Sequence, residues 1–420
     1  MKVIIYGSDL TAWVAAACLA KAGNNVVIQG PDNQIDKPLQ SISAIRDEPG
    51  LLNQIERQIS ENRLSRDISA IDADIHWLAL QPNERAAAEV IIDNLSGYTP
   101  ENLLVVNQCS FGVGATDELQ QQLDEDKNQA IVYIPDNLQE GKALQGFSQP
   151  ERIILGTNSD WALTVTRSLI RPFLQNIEHL QLMTSREAEF TKFATTGMLA
   201  LRLGYINELA NLADQLDVDI DVIRDGMGAD PRIGNHYLQP GCGFGGQNFH
   251  NYISRFSEIF QKKRHNSLLK TVIDENEIQK ELLFRKLWQF YKSDLSGKAV
   301  AIWGASFKPG TASIDNAPSL KVIDALLAQG VHVNVHDPEA LPNLKNLYTD
   351  EPLLSYCDSP YQAAKDCDAV LLITEWPEYW SPDYLKLIEE MRTPLIIDGR
   401  NIFDKEALEM YGFSYIGVGR

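Results

Sequence analysis

The chain has 420 residues, too long for one ordinary hydrophobic core, so two or three domains are expected. It is 44% hydrophobic and 22% charged, as globular proteins usually are, but 37 Lys and Arg stand against 57 Asp and Glu, a net charge of −20. That balance argues against nucleic acid or an anionic membrane as the main partner, since both attract basic surfaces; an anionic ligand must be held by local groups working against the overall field.

Met1-Lys2 leads straight into "VIIYG", a strand pattern, so no secretory signal is read, and no run of about 18 apolar residues offers a membrane span. "KVIIYG", "TAWVAAACLAKAG" and "NNVVIQG" read as strand, helix and strand. Apolar bursts continue through "ADIHWLAL", "NLLVVNQ", "QAIVYIP" and "RIILGT", the spacing of a parallel sheet covered by helices. From about Glu187 the period lengthens to three and four residues in "EAEFTKFATTGMLALRLGYINELANLADQL", a long helix. A second helical stretch, "ENEIQKELLFRKLWQFYKSDL", precedes "KAVAIWGASFKPG", which restarts the strand-glycine-helix pattern. "HVNVHDP", "DAVLLITEW" and "PLIIDGRN" follow as strands. The expected fold class is α/β: two Rossmann-like, doubly wound parallel-sheet domains joined by a long central helical segment. The domains are expected at 1–183, 184–291 and 292–420.

The five cysteines, Cys18, Cys109, Cys242, Cys357 and Cys367, are odd in number and contain no CxxC pair. This argues against a disulfide framework or a metal site and fits a reducing cytoplasm.

A dinucleotide fingerprint is GxGxxG between a strand and a helix; its second glycine lets a pyrophosphate approach the helix N-terminus. Here the turn reads Gly7-Ser8-Asp9-Leu10-Thr11-Ala12. Gly7 can make the tight turn and Ala12 is small enough for helix packing, but Asp9 puts bulk and a carboxylate where two phosphates belong. The acid that holds the ribose is expected about 20 residues on. That place reads Ile28-Gln29-Gly30-Pro31, with Asp32 just beyond, either within reach of the ribose or a turn residue. Asp9 and Gly30 together weigh against dinucleotide binding.

Several segments, in order, resemble the UDP-glucose/GDP-mannose 6-dehydrogenase family across nearly the whole chain. "EAEFTKFA" (187–194) resembles the start of its central helix; "ADPRIGNHY" (229–237) and "GCGFGG" (241–246) resemble its nucleotide-sugar loops. "FKPGT" (307–311), "APS" (317–319), "TEWPEY" (374–379) and "DGRNIFD" (398–404) resemble its C-terminal domain. "DEPGL" (47–51), "CSFGVGAT" (109–116) and "PDNLQEGKAL" (135–144) are weaker echoes.

The resemblance implies an N-terminal dinucleotide-binding domain, a central helical dimerisation domain and a C-terminal nucleotide-sugar-binding domain. Members oxidise the C6 alcohol of a UDP- or GDP-linked sugar to a carboxylate with NAD, through a cysteine thiolate that adds to the aldehyde. In that pattern Asn248 of "QNFHNY" occupies the cysteine position and Tyr252 the aspartate position. An amide is no nucleophile at neutral pH, so the thioester route is closed; Cys242, six residues earlier, is a poor substitute. Lys192 matches the catalytic lysine, Thr196 replaces its asparagine partner, and Glu140 and Asp136 match two glutamates. Ser110 takes a water-binding threonine position on the cofactor side. Arg232, Gly241, Phe244, Gly245, Gly246, Phe307 and Lys308 match substrate-binding positions, whereas Ala312, Ser313 and Asp315 replace two acids and an arginine. His250 is either a base or a structural histidine.

Three readings follow from these residues. The first is a degenerate member that binds a nucleotide sugar or regulates an active relative through mixed oligomers. The second is an enzyme for a two-electron oxidation or epimerisation assisted by Lys192, and the third a working 6-dehydrogenase. The expected assembly is a homodimer through the central helices, with neither nucleic acid nor membrane as a partner.

Overall fold

The computed structural model describes the whole chain except residues 31–36, 68–69, 99–100 and 175–176. It forms two compact units, Met1–Ala194 and Thr195–Arg420, and the long helix Ser185–Leu216 contributes its first turns to one and the rest to the other.

The first unit is built on eight strands: β1 (Lys2–Tyr6), β2 (Asn25–Gln29), β3 (Leu64–Arg66), β4 (Ile75–Leu78), β5 (Leu104–Asn107), β6 (Ala130–Tyr133), β7 (Ile153–Gly156) and β8 (Leu180–Met183). Their order is β3-β2-β1-β4-β5-β6-β7-β8. The first six pair in parallel, as the strand-helix alternation requires, because parallel neighbours need crossover connections. The sheet departs from the expected parallel pattern at one seam, where β6 meets β7 antiparallel through Tyr133 and Gly156. Val3, Ile4 and Ile5 of β1 are fully buried, since helices cover both faces of the sheet. The helix Leu10–Lys21 is apolar all round, with Ala12 to Ala20 buried, and packs as an interior element rather than an amphipathic one.

The second unit carries β9 (Ala299–Trp303), β10 (His332–His336), β11 (Leu354–Tyr356), β12 (Ala369–Leu372), β13 (Leu395–Asp398) and β14 (Ser414–Ile416). The order β11-β10-β9-β12-β13-β14 is all parallel, the doubly wound 3-2-1-4-5-6 arrangement. Around it run the rest of the long helix and the helices Gln247–Arg264, Leu268–Gln279 and Leu282–Phe290. The stretch read as one helix from "ENEIQK" onward is therefore two, broken at Lys280 and Glu281. Lys280 turns inward there, 1% exposed, and donates to Glu277 Oε1 and Asn316 Oδ1, both at 2.6 Å. Among the described residues no helix is long and apolar enough to cross a membrane.

One buried titratable pair in the first unit gives a stability test. His76 is fully enclosed, its Nδ1 2.9 Å from the Tyr6 hydroxyl, and burial lowers its pKa to about 4 against the opposing pull of Asp72. An unfolded histidine takes a proton near 6.5, so the unfolded state binds more protons below that pH and folding weakens as pH falls toward 4. The full loss is about 3 kcal/mol. Melting temperatures between pH 7.5 and 5 should fall less steeply in His76→Phe than in the parent; equal slopes would contradict this assignment.

Candidate functional site

In the first unit the candidate residues gather at the carboxyl ends of β1, β4 and β5, beside the point where strand order reverses, the usual ligand position in such sheets. Gly7 has a φ of 150°, and a Cβ there would overlap the Ala79 carbonyl oxygen and lie 2.9 Å from the Cβ of Ala12. The turn thus requires glycine at 7 and a small residue at 12. Asp9 is the N-cap of the helix Leu10–Lys21: its Oδ1 accepts from Ala12 N at 3.3 Å and its Oδ2 from the Gln81 amide. Burial, then the nearby carboxylates of Asp136 and Glu84, raise its pKa to about 6 despite the cap bond. Thr11 Oγ1 donates to Asp136 Oδ2 at 3.0 Å, so a second carboxylate stands at the same helix end. Gln29 closes β2 with its amide tied to the carbonyls of Asp67 and Ala70, at 2.8 and 2.5 Å. Asp32 lies outside the described residues.

Lys192 is drawn into the same group, its Nζ 3.4 Å from Asn137 Oδ1; burial lowers its pKa while Asp136 pulls the other way. Glu140 sits in the loop between Tyr133 and Ala143, half-buried. The end of that loop is held by the buried Glu48, which accepts from Gly141 N at 2.6 Å and Ala143 N at 2.7 Å. Ser110 is buried in the loop after β5, and that loop has its own anchor. Glu189, 2% exposed and one turn before Lys192, accepts from Gly114 N at 2.5 Å, Thr116 N at 2.8 Å and Thr116 Oγ1 at 2.6 Å. Glu48 and Glu189 are the residues that sequence reasoning missed. The signal for Glu189 was a carboxylate inside the apolar run "AEFTKFA".

In the second unit the loop 240–246 is held from three directions. Asn207 Oδ1 accepts from Gly241 N at 2.9 Å, Gln279 Nε2 donates to Gly241 O at 2.7 Å, and Asn276 exchanges two bonds of 2.9 Å with the backbone of Phe244. Its glycines are spaces already taken by the chain's own atoms. A Cβ at Gly241 would lie 2.8 Å from Arg400 Nη1, one at Gly245 2.7 Å from Asn316 O, and one at Gly246 3.0 Å from the Phe307 ring. Gly245, Gly246 and Phe307 are thereby brought together, with Lys308 Nζ 5.5 Å from the Phe307 centroid and Phe244 edge-on to Phe249 at 5.2 Å. Asp315 is exposed, and its carbonyl accepts from Gly246 N at 2.9 Å.

Asn248 is exposed in the first turn of the helix Gln247–Arg264, and Thr196 is buried in the long helix. His250 is half-buried; burial, then Lys280, lower its pKa while Glu277 raises it, which favours a neutral ring. Arg232 stands apart on an exposed loop, 86% exposed and paired with Asp230 at 2.6 Å. Cys242 lies in the core against Leu283 and Leu287, fully buried, its Sγ directed at Ile373 O 3.8 Å away. Burial raises its pKa against the pull of Arg400, so no thiolate is presented there. All five cysteines are free and buried.

Three family models of the UDP-glucose/GDP-mannose dehydrogenase family match the chain: the NAD binding domain over residues 1–174, the central domain over 186–278 and the UDP binding domain over 301–405. The chain belongs to this family. It is 34% identical to the UDP-glucose 6-dehydrogenase of Pseudomonas aeruginosa, aligned over 100% of this chain and 98% of that one. It is 31% identical to that of Rhizobium meliloti over the full length of both. A UDP-glucose dehydrogenase structure from the archaeon Pyrobaculum islandicum superposes with a TM-score of 0.85 at 26% identity, covering 100% of this chain and 97% of that one. The first unit therefore carries the family's NAD-binding domain and the second its UDP-binding domain.

Asp9 makes the first of these testable. Its raised pKa means that folding favours the protonated carboxyl, a stabilisation that fades as pH rises through about 6. Asn caps a helix as well as Asp without the charge. Asp9→Asn should tighten NAD binding about tenfold at pH 7.5. The gain should shrink at pH 5.5, where the parent carboxyl is itself largely neutral. Calorimetric titration at the two pH values checks this, and an equal gain at both would contradict it.

Proposed function

We propose that this chain binds a nucleotide sugar but does not carry out the full oxidation of its alcohol to a carboxylate. The observation that carries this reading is the burial of all five thiols, together with an exposed amide, Asn248, at the start of the helix where the family resemblance expects the nucleophile. Without a thiolate to hold the intermediate aldehyde, the second hydride transfer has no covalent adduct to depart from.

The cofactor side supports the same reading. When bound, NAD would accept a hydride from the sugar. Gly7 and Ala12 fit the turn such a dinucleotide needs. Asp9 does not, because its carboxylate caps the helix end a pyrophosphate would occupy, with Asp136 beside it. On the sugar side the loop 240–246, Phe307 and Lys308 remain assembled, and Arg232 stays exposed. Retained ligand surfaces with a blocked cofactor turn suit a sensor, a carrier or a regulator of an active relative. The large exposure of Met198, Tyr205, Leu212 and Leu216 along the long helix supports pairing through that face, as a homodimer or a mixed oligomer. Free thiols suit a reducing compartment, and the cytoplasm is the proposed location.

A second reading, a two-electron oxidation or epimerisation, draws on Lys192. Its lowered pKa and its place beside Asn137 suit a group that exchanges a proton with a sugar hydroxyl. The two readings separate in a thermal-shift titration with UDP-glucose, GDP-mannose and NAD. Clear stabilisation by a nucleotide sugar and only weak stabilisation by NAD at pH 7.5 is expected. Asn248→Cys alone should restore no oxidation, since Asp9 still blocks the cofactor turn. Tight NAD binding by the parent, or oxidation restored by that single change, would overturn the proposal.

A further inference from the structure

The exposed loop 229–237 carries Arg232, and its backbone is unusual for a surface segment. Gly234 has a φ of 67° and Tyr237 a φ of 58°, a conformation that a residue with a Cβ adopts only when its surroundings enforce it. The loop is tied to the long helix directly after Arg232. Arg202 donates from Nη1 to Ile233 O at 2.9 Å and from Nη2 to Gly234 O at 2.8 Å. Its Nε is buried with no hydrogen-bond partner, and no carboxylate among the described residues pairs with it. A guanidinium that leaves one donor unsatisfied to bridge two successive carbonyls has its position set by those carbonyls.

The rest of the loop is locked in the same sense. Arg232 N and Nε reach Asp230 Oδ1 at 2.9 and 3.0 Å, Ile233 N and Gly234 N both return to Asp230 O at 2.9 Å, and Asn235 fills the space a side chain at Gly228 would need. Asp230 therefore fixes the start of the loop, and Arg202 fixes the two residues directly after Arg232.

We infer that Arg202 is a positioning residue for the nucleotide-sugar site: by bridging the carbonyls of Ile233 and Gly234 it sets the direction in which Arg232 is presented to an anionic ligand. The inference rests on the nucleotide-sugar reading given above. Lysine keeps the charge at 202 but reaches from a single nitrogen and cannot reproduce the fork. Gln keeps one donor group and removes the charge.

The test is a double-mutant cycle read by calorimetric titration with UDP-glucose, using the full chain and comparing Arg202→Lys, Arg232→Ala and the double variant. Arg232→Ala should weaken binding about tenfold or more, and Arg202→Lys several-fold with the melting temperature nearly unchanged. In the Arg232→Ala background, Arg202→Lys should cost nothing further, because its effect passes through Arg232. A merely structural role would weaken binding in both backgrounds alike. Multiplying effects would therefore overturn the inference, and so would an unaltered affinity in Arg202→Lys or in Arg232→Ala. If Arg202→Lys does not fold, Arg202→Gln enters the same cycle with the same expectation. Absence of UDP-glucose binding by the parent protein would instead remove the nucleotide-sugar reading, and the inference with it.

Discussion

The amino end of a helix offers a few unpaired N–H groups and a partial positive charge, and it serves one anion at a time. In the first unit that end already belongs to the chain. Asp9 caps it through Ala12 N and is steadied by the amide of Gln81, while Asp136 stands one hydroxyl away through Thr11. The features of a dinucleotide fold that depend on geometry persist around it: the glycine at 7, the small residue at 12 and the strand reversal beside β1. The electrostatic position at the helix end is held by the Asp9 side chain. The Asp9 side chain accepts the cap bond in the ionised and the protonated form alike, but its burial beside Asp136 and Glu84 makes the ionised form the costlier one.

The second unit repeats that logic with volume instead of charge. Asn207, Asn276 and Gln279 hold the backbone of the loop 240–246, and Arg400, Asn316 and Phe307 take up the space beside its glycines. Such a loop needs glycine for its own packing, whatever it binds. Its persistence alone therefore says little about chemistry. The exposed Asn248 and the deeply buried Cys242 bear on it more directly, because a thiolate route needs a reachable sulfur and all five cysteines are buried.

The legibility of these features in the sequence followed from how local their causes are. Strands buried on both faces, such as "KVIIY" and "AVAIW", announce themselves as apolar runs. The short strands Leu64–Arg66 and Leu354–Tyr356 lie at sheet edges, where one exposed face admits Ser and Arg, and they carry no such signal. The Gly7 turn and the substitution at Asp9 are local and were readable. Glu189 shows only as a carboxylate inside an apolar run and Glu48 not at all, because the loop each anchors lies 73 to 95 residues away in the chain. Helical periodicity also ran unbroken through Lys280, whose inward turn depends on Asn316, 36 residues on. Contacts of that separation exist only in the fold.

The central claim is that the cradle for the sugar outlasted the chemistry. It is tested most directly by mixing the purified protein with UDP-glucose and excess NAD at pH 7.5 and following absorbance at 340 nm through a complete reaction. No NADH beyond the blank is expected, with UDP-glucose recovered unchanged. Two equivalents of NADH per sugar, with UDP-glucuronate as product, would contradict the claim outright.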